Sequence, residues 1–293
     1  QRTHSMELFS LGACRFMLGF VKKVLIADSL APMGTVILGS SEPQMVDAWF
    51  GMLICLLQLY FDFSGYSDMA IGLGMMMGFR FAENFNQPLL CQSLTEFWRR
   101  WHLTLADFLR DYIYVPLVRS KRVSADGALF CTMLLSGFWH GASFAYIFFG
   151  LYFAVLMVAE RRLGLVTKIG GPYKWWRNLL ALIFVVGVMP FFITGDMQHA
   201  LRIVPAMLGF NGIGSLEVYL LATSQMTLAF TLVAVVWLLL AGRLNLRFYA
   251  GAQQGYWMQH VGGLSMLALW AAFGLSLSRL AANSFSPFLY FQF

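Results

Sequence analysis

Long apolar runs alternate with short polar segments along most of the chain. A helix needs roughly 20 apolar residues to cross a bilayer. The runs that come closest to this length cover 45–61, 179–193, 227–241 and 262–280. Two further apolar arms, 127–139 and 142–159, meet at His140 and Gly141. This pattern predicts an all-α integral membrane protein with several spans and with some re-entrant or interfacial helices.

The first apolar run, 8–27, differs from the others because it carries three basic residues. At 100° per residue, Arg15, Lys22 and Lys23 fall within one quadrant of a helix. Charges of this kind are costly against lipid tails. We therefore predict that this helix lies at the membrane interface or lines a cavity, rather than facing lipid.

A polar segment, 62–68, follows the run 45–61 and precedes an apolar run, 69–79, that is too short to cross a membrane alone. This arrangement predicts a helix that breaks at 62–68, where protein or water must satisfy the backbone. Beyond the break, Gly74 and Gly78 have the GxxxG spacing that allows close helix packing.

The least hydrophobic stretch covers 83–122. Ser93 and Glu96 form a capping-box pattern, which predicts that a helix covers 97–111. On such a helix Trp98, His102, Leu105 and Leu109 share one stripe, and Glu96 and Arg100 form an i,i+4 pair. We predict an amphipathic helix that lies on the membrane or dips into it.

Composition supports the membrane assignment, since 59% of the residues are hydrophobic and only 12% are charged. These values exclude disordered, collagen-like and disulfide-rich proteins. The four cysteines have no metal-ligand spacing, so no metal is expected. The net charge of +6 indicates cytoplasmic loops and not a nucleic-acid partner.

The distribution of basic residues predicts the orientation of the chain. By the positive-inside rule, the basic segments 99–122, 161–177 and 243–247 face the cytoplasm, and the loop 195–223 faces outward. His140 is then expected at a turn deep in the membrane or near its outer face. We predict one domain, 1–293, because no linker or repeat is visible.

Histidines are the main candidates for chemistry. His140 interrupts an apolar hairpin, where a neutral imidazole can act as a general base, although a structural hydrogen-bonding role fits equally well. His102 lies on an apolar stripe, which favours a structural role. The other histidines, His4, His199 and His260, are expected to be solvated or terminal. The carboxylates Asp62, Asp68 and Glu83 can orient a histidine or pair with arginines such as Arg80, Arg99 or Arg110, and pairing is the simpler role.

Five blocks of sequence resemble one family when they are taken in order. The blocks are Phe61-Asp-Phe-Ser-Gly-Tyr-Ser-Asp68, Glu83-Asn-Phe-Asn-Gln-Pro88, Phe97-Trp-Arg-Arg-Trp-His102, Arg110-Asp-Tyr-Ile-Tyr114 and Phe138-Trp-His-Gly141. Together they resemble the membrane-bound O-acyltransferase (MBOAT) family, and most of all its bacterial branch that acetylates alginate. The motif-rich part of the resemblance covers about 8–162.

The resemblance implies that His140 is the central catalytic histidine and that His102 is the second one. It further implies a substrate-lining or supporting role for motif residues Trp139, Asp62, Ser64, Asp68, Asn84, Asn86, Arg99, Trp101, Arg110 and Asp111. Two departures stand out. Phe153-Ala154 occupies the place where many relatives have a His-Gly pair, and members of this branch carry further N-terminal helices.

The function that the resemblance implies is transfer of an acetyl group to a hydroxyl. The expected donor is a cytoplasmic thioester such as acetyl-CoA, and no bound cofactor is expected. The expected acceptor is an exported, alginate-like polysaccharide or a periplasmic acetyltransferase partner, in a multi-pass protein of the bacterial inner membrane. D-alanyl transfer to teichoic acids is an alternative. A transporter or a non-catalytic membrane scaffold is the alternative from another class.

Overall fold

The computed structural model describes residues 2, 5–217, 219, 229, 232, 236 and 263–282. The predicted span at 227–241 lies largely outside the described residues. The basic segment 243–247, the C-terminal tail, His4 and His260 lie wholly outside them. All regular structure in the described part of the chain is helical, without a strand, which confirms the all-α prediction.

The described helices differ widely in length. They are α1 (Met6–Val21), α2 (Asp28–Gly39), α3 (Met45–Met76), α4 (Leu94–Trp98), α5 (Leu103–Leu109), α6 (Val115–Arg119), α7 (Ala125–His140), α8 (Phe144–Arg162), α9 (Trp175–Thr194), α10 (Met197–Met207) and α11 (Gly263–Ala282). π-helical turns at Lys22–Ala27 and Arg110–Tyr114 join α1 to α2 and α5 to α6. Among these helices, α3, α8 and α9 are long and apolar enough to cross a membrane.

The contacts divide the chain into two compact units, which are described separately below. Among the described residues, the first comprises those up to 32, 57–84 and those from 229 to 282, and the second comprises 33–56 and those from 85 to 219. Helix α3 contributes residues to both. The single domain expected from the sequence stays a prediction.

Glycines bring α1 and α3 into close contact in the first unit. A Cβ atom at Gly12 would lie 2.5 Å from the carbonyl oxygen of Gly72, and one at Gly19 would lie 2.5 Å from that of Gly65. The sequence predicted that Gly74 and Gly78 would provide such a contact, and this prediction is wrong. Gly74 faces Phe81, which is not part of a helix, and Gly78 follows the end of α3 with φ +84°. The contact therefore uses two seven-residue spacings, 12/19 and 65/72.

The polar segment 62–68 does not break the helix, contrary to the prediction, because its carboxylates meet the basic stripe of the first apolar run. Lys23 Nζ lies 2.8 Å from Asp62 Oδ1, and Lys22 Nζ lies 2.6 Å from Asp68 Oδ2. With these charges paired, α3 continues for 32 residues. The basic stripe of the first apolar run, Arg15, Lys22 and Lys23, thus faces buried carboxylates, in agreement with the expectation that it does not face lipid.

The second unit contains the helical hairpin that the two apolar arms predict. Helices α7 and α8 approach closely at Gly137 and Gly150 and turn at Gly141. Helix α9 packs on α8, where the Tyr152 hydroxyl donates a hydrogen bond of 2.9 Å to the carbonyl of Phe184. The region 195–223 is not simply a loop, because it contains α10.

The predicted helix over 97–111 is wrong in its extent. Ser93 caps its start as expected, since its hydroxyl accepts a hydrogen bond from the amide of Glu96 at 3.1 Å. Helix α4 nevertheless ends at Trp98, and α5 begins only at Leu103. Hydrogen bonds between Arg100 and Asn86 hold the turn between them, and they outweigh the local preference for a continuous helix.

Candidate functional site

His140 ends α7 and lies half-buried among aromatic rings. Its ring centroid is 5.0 Å from that of Trp139 and 4.9 Å from that of Phe192. Tyr146 and Phe149 of α8 complete the surroundings at 6.1 and 6.2 Å. We call these four aromatic residues the aromatic cage. It leaves the imidazole in a largely apolar setting at the turn of the hairpin.

Gly141 allows the chain to leave α7 directly after the histidine. Its φ of +156° is unfavourable for residues with a side chain, and a Cβ atom there would lie 2.9 Å from the ring of Tyr146. The Trp-His-Gly block therefore has a physical basis, because the glycine permits the turn that places His140 beside Tyr146.

His102 lies in the turn between α4 and α5 and adopts a left-handed backbone conformation, with φ +46° and ψ +54°. A non-glycine residue in this region is uncommon and costs roughly 1 kcal/mol or more. The conformation turns the ring toward Trp139, whose centroid is 6.0 Å away. Trp139 therefore neighbours both histidines, and it brings together the two residues that the sequence singled out.

The electrostatic setting of His102 favours its neutral form. Burial lowers its pKa to about 4, and the nearby His140 adds to this effect. The Nδ1 atom lies 3.4 Å from the Thr104 hydroxyl. At neutral pH this imidazole is uncharged, so it can donate one hydrogen bond and accept another.

Glu96 and Arg100 brace the turn that carries His102. The buried Glu96 carboxylate accepts hydrogen bonds from Arg100 Nε at 2.9 Å and from the amide of Gln92 at 3.0 Å. Arg100 also donates to the carbonyl of Asn86 at 3.0 Å, and Asn86 accepts this bond through its backbone. Trp101 is buried and stacks on the ring of Phe97, with centroids 5.4 Å apart.

Sequence reasoning missed a second support, Glu160, near the end of α8. Its carboxylate accepts hydrogen bonds from the amides of Leu94 at 2.6 Å and Thr95 at 2.9 Å, and from the Thr95 hydroxyl at 2.9 Å. It thereby caps α4 and ties the helix before His102 to the helix after His140. A lone carboxylate near the end of an otherwise apolar arm was the signal that could have identified it.

A cavity of about 780 Å³ opens beside the turn that carries His102. Arg99, Arg110 and Arg161 contribute to its lining, together with apolar side chains of α5, α7 and α8. Two lining atoms, Trp98 Nε1 and Ser136 Oγ, are buried without a hydrogen-bond partner among the described residues. Ser136 lies one turn before His140, so the cavity extends along α7 toward that residue.

Arg110 and Asp111, also predicted as site residues, lie at the exposed side of this region. Arg110 pairs with Asp107 at 2.6 Å and with Asp111 at 2.7 Å. All three side chains are more than half exposed, so the pairs add little stability. Their charges remain accessible to a ligand at the cavity.

The other predicted site residues, Asp62, Ser64, Asp68 and Asn84, belong to the first unit. Asp62 and Asp68 pair with lysines of the π-helical turn, and Asn84 donates a hydrogen bond of 3.0 Å to the Ser67 hydroxyl. The Ser64 hydroxyl is buried and has no hydrogen-bond partner within the described part of the chain.

The carboxylates thus form ion pairs, as expected, but with different partners. Asp68 pairs with Arg15 and Lys22, and Glu83 pairs with Arg15, where the sequence suggested arginines such as Arg80, Arg99 or Arg110. The basic stripe of the first apolar run was the correct source of partners. Within the described residues, no group of histidines, cysteines or carboxylates is arranged to hold a metal ion.

Comparisons with known proteins agree with these motifs. Residues 1–193 match the MBOAT, membrane-bound O-acyltransferase family. A "Probable alginate O-acetylase AlgI" of Pseudomonas putida is 42% identical over 313 residues, which cover the whole chain and 63% of the relative. A "Peptidoglycan O-acetyltransferase" of Helicobacter pylori is 34% identical, over 70% of the chain and 40% of the relative.

A more distant relative, a "Teichoic acid D-alanyltransferase" of Bacillus subtilis, is 29% identical over 60% of the chain and 48% of its own length. The chain spans slightly less than two thirds of the length of the alginate O-acetylases that it matches. The match to the family covers most of the described residues, including both histidines of the candidate site. The chain therefore belongs to the MBOAT family of membrane-bound O-acyltransferases.

Proposed function

We propose that the protein containing this chain is an O-acetyltransferase that moves an acetyl group from a thioester to hydroxyls of an exported, alginate-like polysaccharide. The observation that carries the proposal is the meeting of His102 and His140 around Trp139, beside a cavity with a cationic lining. Neither histidine belongs to a metal-ligand cluster within the described ranges, so acid–base chemistry is the role that fits them.

The proposed reaction begins with an acceptor hydroxyl beside His140. Its imidazole takes the hydroxyl proton while the oxygen attacks the thioester carbonyl carbon, forming a C–O bond. The tetrahedral oxyanion needs hydrogen-bond donors, and the candidates are neutral His102, the Trp139 indole N–H and backbone amides near Gly141. The C–S bond then breaks, and the imidazolium returns its proton to the leaving thiolate.

The cavity is the proposed donor site. Arg99, Arg110 and Arg161 offer guanidinium groups to the phosphates of a donor such as acetyl-CoA. The buried Ser136 hydroxyl and Trp98 N–H lack partners among the described residues, and a bound polar group would satisfy them. Positive-inside topology also accounts for these arginines, so the two partnerless atoms are the stronger support.

The relatives support the proposed acceptor, and the charge pattern supports the proposed membrane location. The name of the Pseudomonas putida relative points to alginate, and its identity exceeds that of the D-alanyltransferase, so we favour acetyl over D-alanyl transfer. The basic segments support a location in a bacterial inner membrane in which the cavity opens toward the cytoplasm. A periplasmic acetyltransferase that receives the acetyl group is a second route to the polymer.

Replacement of His140 tests the proposal. We expect His140→Ala in the full-length protein, reconstituted in liposomes, to lower the rate of acetyl transfer by about 10²–10⁴. Arg119→Ala is the control, because Arg119 is an exposed residue at the end of α6 and lies outside the cavity, and its rate should stay unchanged. Full transfer activity in His140→Ala would contradict the catalytic role, and loss of a solute flux instead of transfer would favour the transporter alternative.

A further inference from the structure

A second, smaller pocket of about 240 Å³ lies where α2 and α9 end and α10 begins. Its apolar wall consists of Ile37, Leu38, Ile193 and Ile203, and its polar groups come from Ser40, Thr194, His199 and Arg202. The volume is below the range of about 300–1,000 Å³ that is typical of drug-sized ligands. This size suits a single sugar residue more than a cofactor.

The depth of this pocket follows from the elements around it. Helix α10 follows directly on the apolar α9, and both the last residue of α10 and the segment after it are tied to the start of the apolar α3. Met45 and Val46 donate backbone hydrogen bonds of 3.0 and 2.9 Å to Gly212 and Ile213, and Trp49 Nε1 donates to the carbonyl of Met207 at 2.9 Å. The pocket therefore lies where two candidate membrane spans end, at the level of the interface.

The lining of the pocket includes one fixed positive charge, that of Arg202. Arg202 is exposed and has no hydrogen bond or ion pair with any residue that the structure describes. His199 lies 3.7 Å from Asp196, whose carboxylate also accepts the amide hydrogen of His199 at 2.7 Å. Asp196 forms no ion pair with Arg202 among the described residues. The guanidinium of Arg202 is thus available for an anion.

The pocket also lies close to His140. Ile193 and Thr194, which line it, directly follow Phe192 of the aromatic cage, and the ring of Phe192 is 4.9 Å from that of His140. Gly195 comes next and packs on Tyr146, another cage residue, since a Cβ atom there would lie 2.8 Å from the Tyr146 hydroxyl. The lining of the pocket therefore adjoins the aromatic cage around the proposed general base.

We propose that this pocket is an acceptor subsite, in which Arg202 binds the carboxylate of a uronic-acid residue next to the sugar that is acetylated. The four apolar residues of the wall would contact the C–H face of the sugar, and the Ser40 hydroxyl is a further hydrogen-bond donor. This inference rests on the proposed function, and it further specifies that the acceptor carries negative charge. It gives a role to Arg202, which has no partner among the described residues. By the positive-inside rule, the segment 195–223 faces outward, where fixed positive charges are uncommon.

Binding without any thioester donor tests the subsite independently of catalysis. The full-length protein in phosphatidylcholine nanodiscs is titrated with a fluorescent hexamer of 1,4-linked uronic acid, and with the same hexamer after its carboxyls are reduced to alcohols. We expect Arg202→Gln to weaken binding of the acidic hexamer roughly fivefold and to leave the neutral hexamer unaffected. Arg202→Lys should be intermediate, because lysine keeps the charge but not the planar geometry.

Arg119→Gln is the matched control, because Arg119 is an exposed arginine at the end of α6, outside both cavities. It should bind both hexamers like the unmodified protein. Equal affinity of Arg202→Gln and unmodified protein for the acidic hexamer would overturn the subsite. A second result would also overturn the subsite: phosphatidylglycerol in the nanodiscs weakens binding of the acidic hexamer to the unmodified protein but not to Arg202→Gln. The pocket would then hold a lipid phosphate.

The two proposals fail in distinguishable ways. If the acidic hexamer binds through Arg202 but acetyl transfer is absent, the proposed function fails and the subsite stands. If transfer proceeds and Arg202→Gln leaves both binding and the KM for the hexamer unchanged, the subsite fails and the proposed function stands.

Discussion

The basic stripe of the first unit and the two histidines of the second unit lie in opposite kinds of surroundings. In the first unit, Arg15, Lys22 and Lys23 are all at least nine-tenths buried, and each has a carboxylate partner. In the second unit, His102 and His140 lie beside aromatic rings, and burial lowers the pKa of His102 below its ordinary value. The first arrangement neutralises charge, and the second keeps imidazoles uncharged.

The difference suggests a division of labour. Paired charges hold helices together because breaking one pair leaves a buried charge behind. A histidine whose surroundings favour the neutral form can take up and release a proton during each reaction cycle. We therefore expect changes in the first unit to affect mainly stability, and changes around the histidines to affect mainly activity.

Removal of the Asp68 charge should have the largest effect on stability. Asp68→Asn leaves Lys22 without its carboxylate and weakens the pairing of Arg15, so we expect a loss of about 3–5 kcal/mol. Thermal unfolding of the purified protein in detergent measures this loss. Asp107→Asn breaks only an exposed pair and serves as the control, with no expected shift in Tm.

A double variant sharpens the same test. Adding Lys22→Met to Asp68→Asn removes the buried ammonium group that paired with Asp68, so part of the lost stability should return. No recovery would indicate that Asp68 stabilises the unit through Arg15 alone.

The close contact between α1 and α3 predicts the next largest effect. Gly12→Ala would place a methyl group against the backbone of Gly72, and we expect a loss of about 1–3 kcal/mol. Gly39→Ala is the matched control, because nothing lies within 4 Å of a Cβ atom there. It should leave the free energy of unfolding unchanged or raise it by up to about 1 kcal/mol. Equal losses in both variants would show that the α1–α3 contact is not tight.

Glu160 should affect activity more than stability. Glu160→Gln keeps the size of the side chain but weakens hydrogen bonds to the start of α4, so the turn that carries His102 becomes less fixed. We expect kcat to fall roughly tenfold with little change in KM. Glu160→Asp, which restores the charge, should recover part of the rate. A larger effect on KM than on kcat would argue against a positioning role.

The last expected effect is a pH dependence of stability. The pKa of His102 is about 4 in the folded protein, below the value of about 6.5 in unfolded chains. As the pH falls from about 6.5 to about 4, His102 binds a proton in the unfolded state but not in the folded state, so stability decreases over this pH range. His102→Asn should flatten the decrease, as followed by Tm against pH. An unchanged profile would contradict the lowered pKa.

Sequence patterns predicted the elements that local rules govern. The hairpin around His140, the Ser93 cap and the Glu96–Arg100 pair follow from periodicity and capping, and all three are present. The two histidines were identified from motif resemblance and their apolar surroundings, and the structure brings both beside Trp139.

Long-range pairing was beyond the reach of those patterns. Residues 62–68 looked like a break because their charges were counted without Lys22 and Lys23, which lie some forty residues earlier. The left-handed turn at His102 depends on contacts of Arg100 with Asn86, which no local rule contains. In each case a distant partner reversed a local preference.

A paired measurement of acetyl transfer and thermal stability on one set of preparations tests the account most directly. His140→Gln should lose at least about a hundredfold in transfer rate with an unchanged Tm. Asp68→Asn should show a lowered Tm, while its rate per folded molecule, measured well below that Tm, stays near that of the unmodified protein. The reverse pattern, an active His140→Gln or an Asp68→Asn that is stable but inactive, would contradict the division between a stabilising charge network and a reactive histidine site.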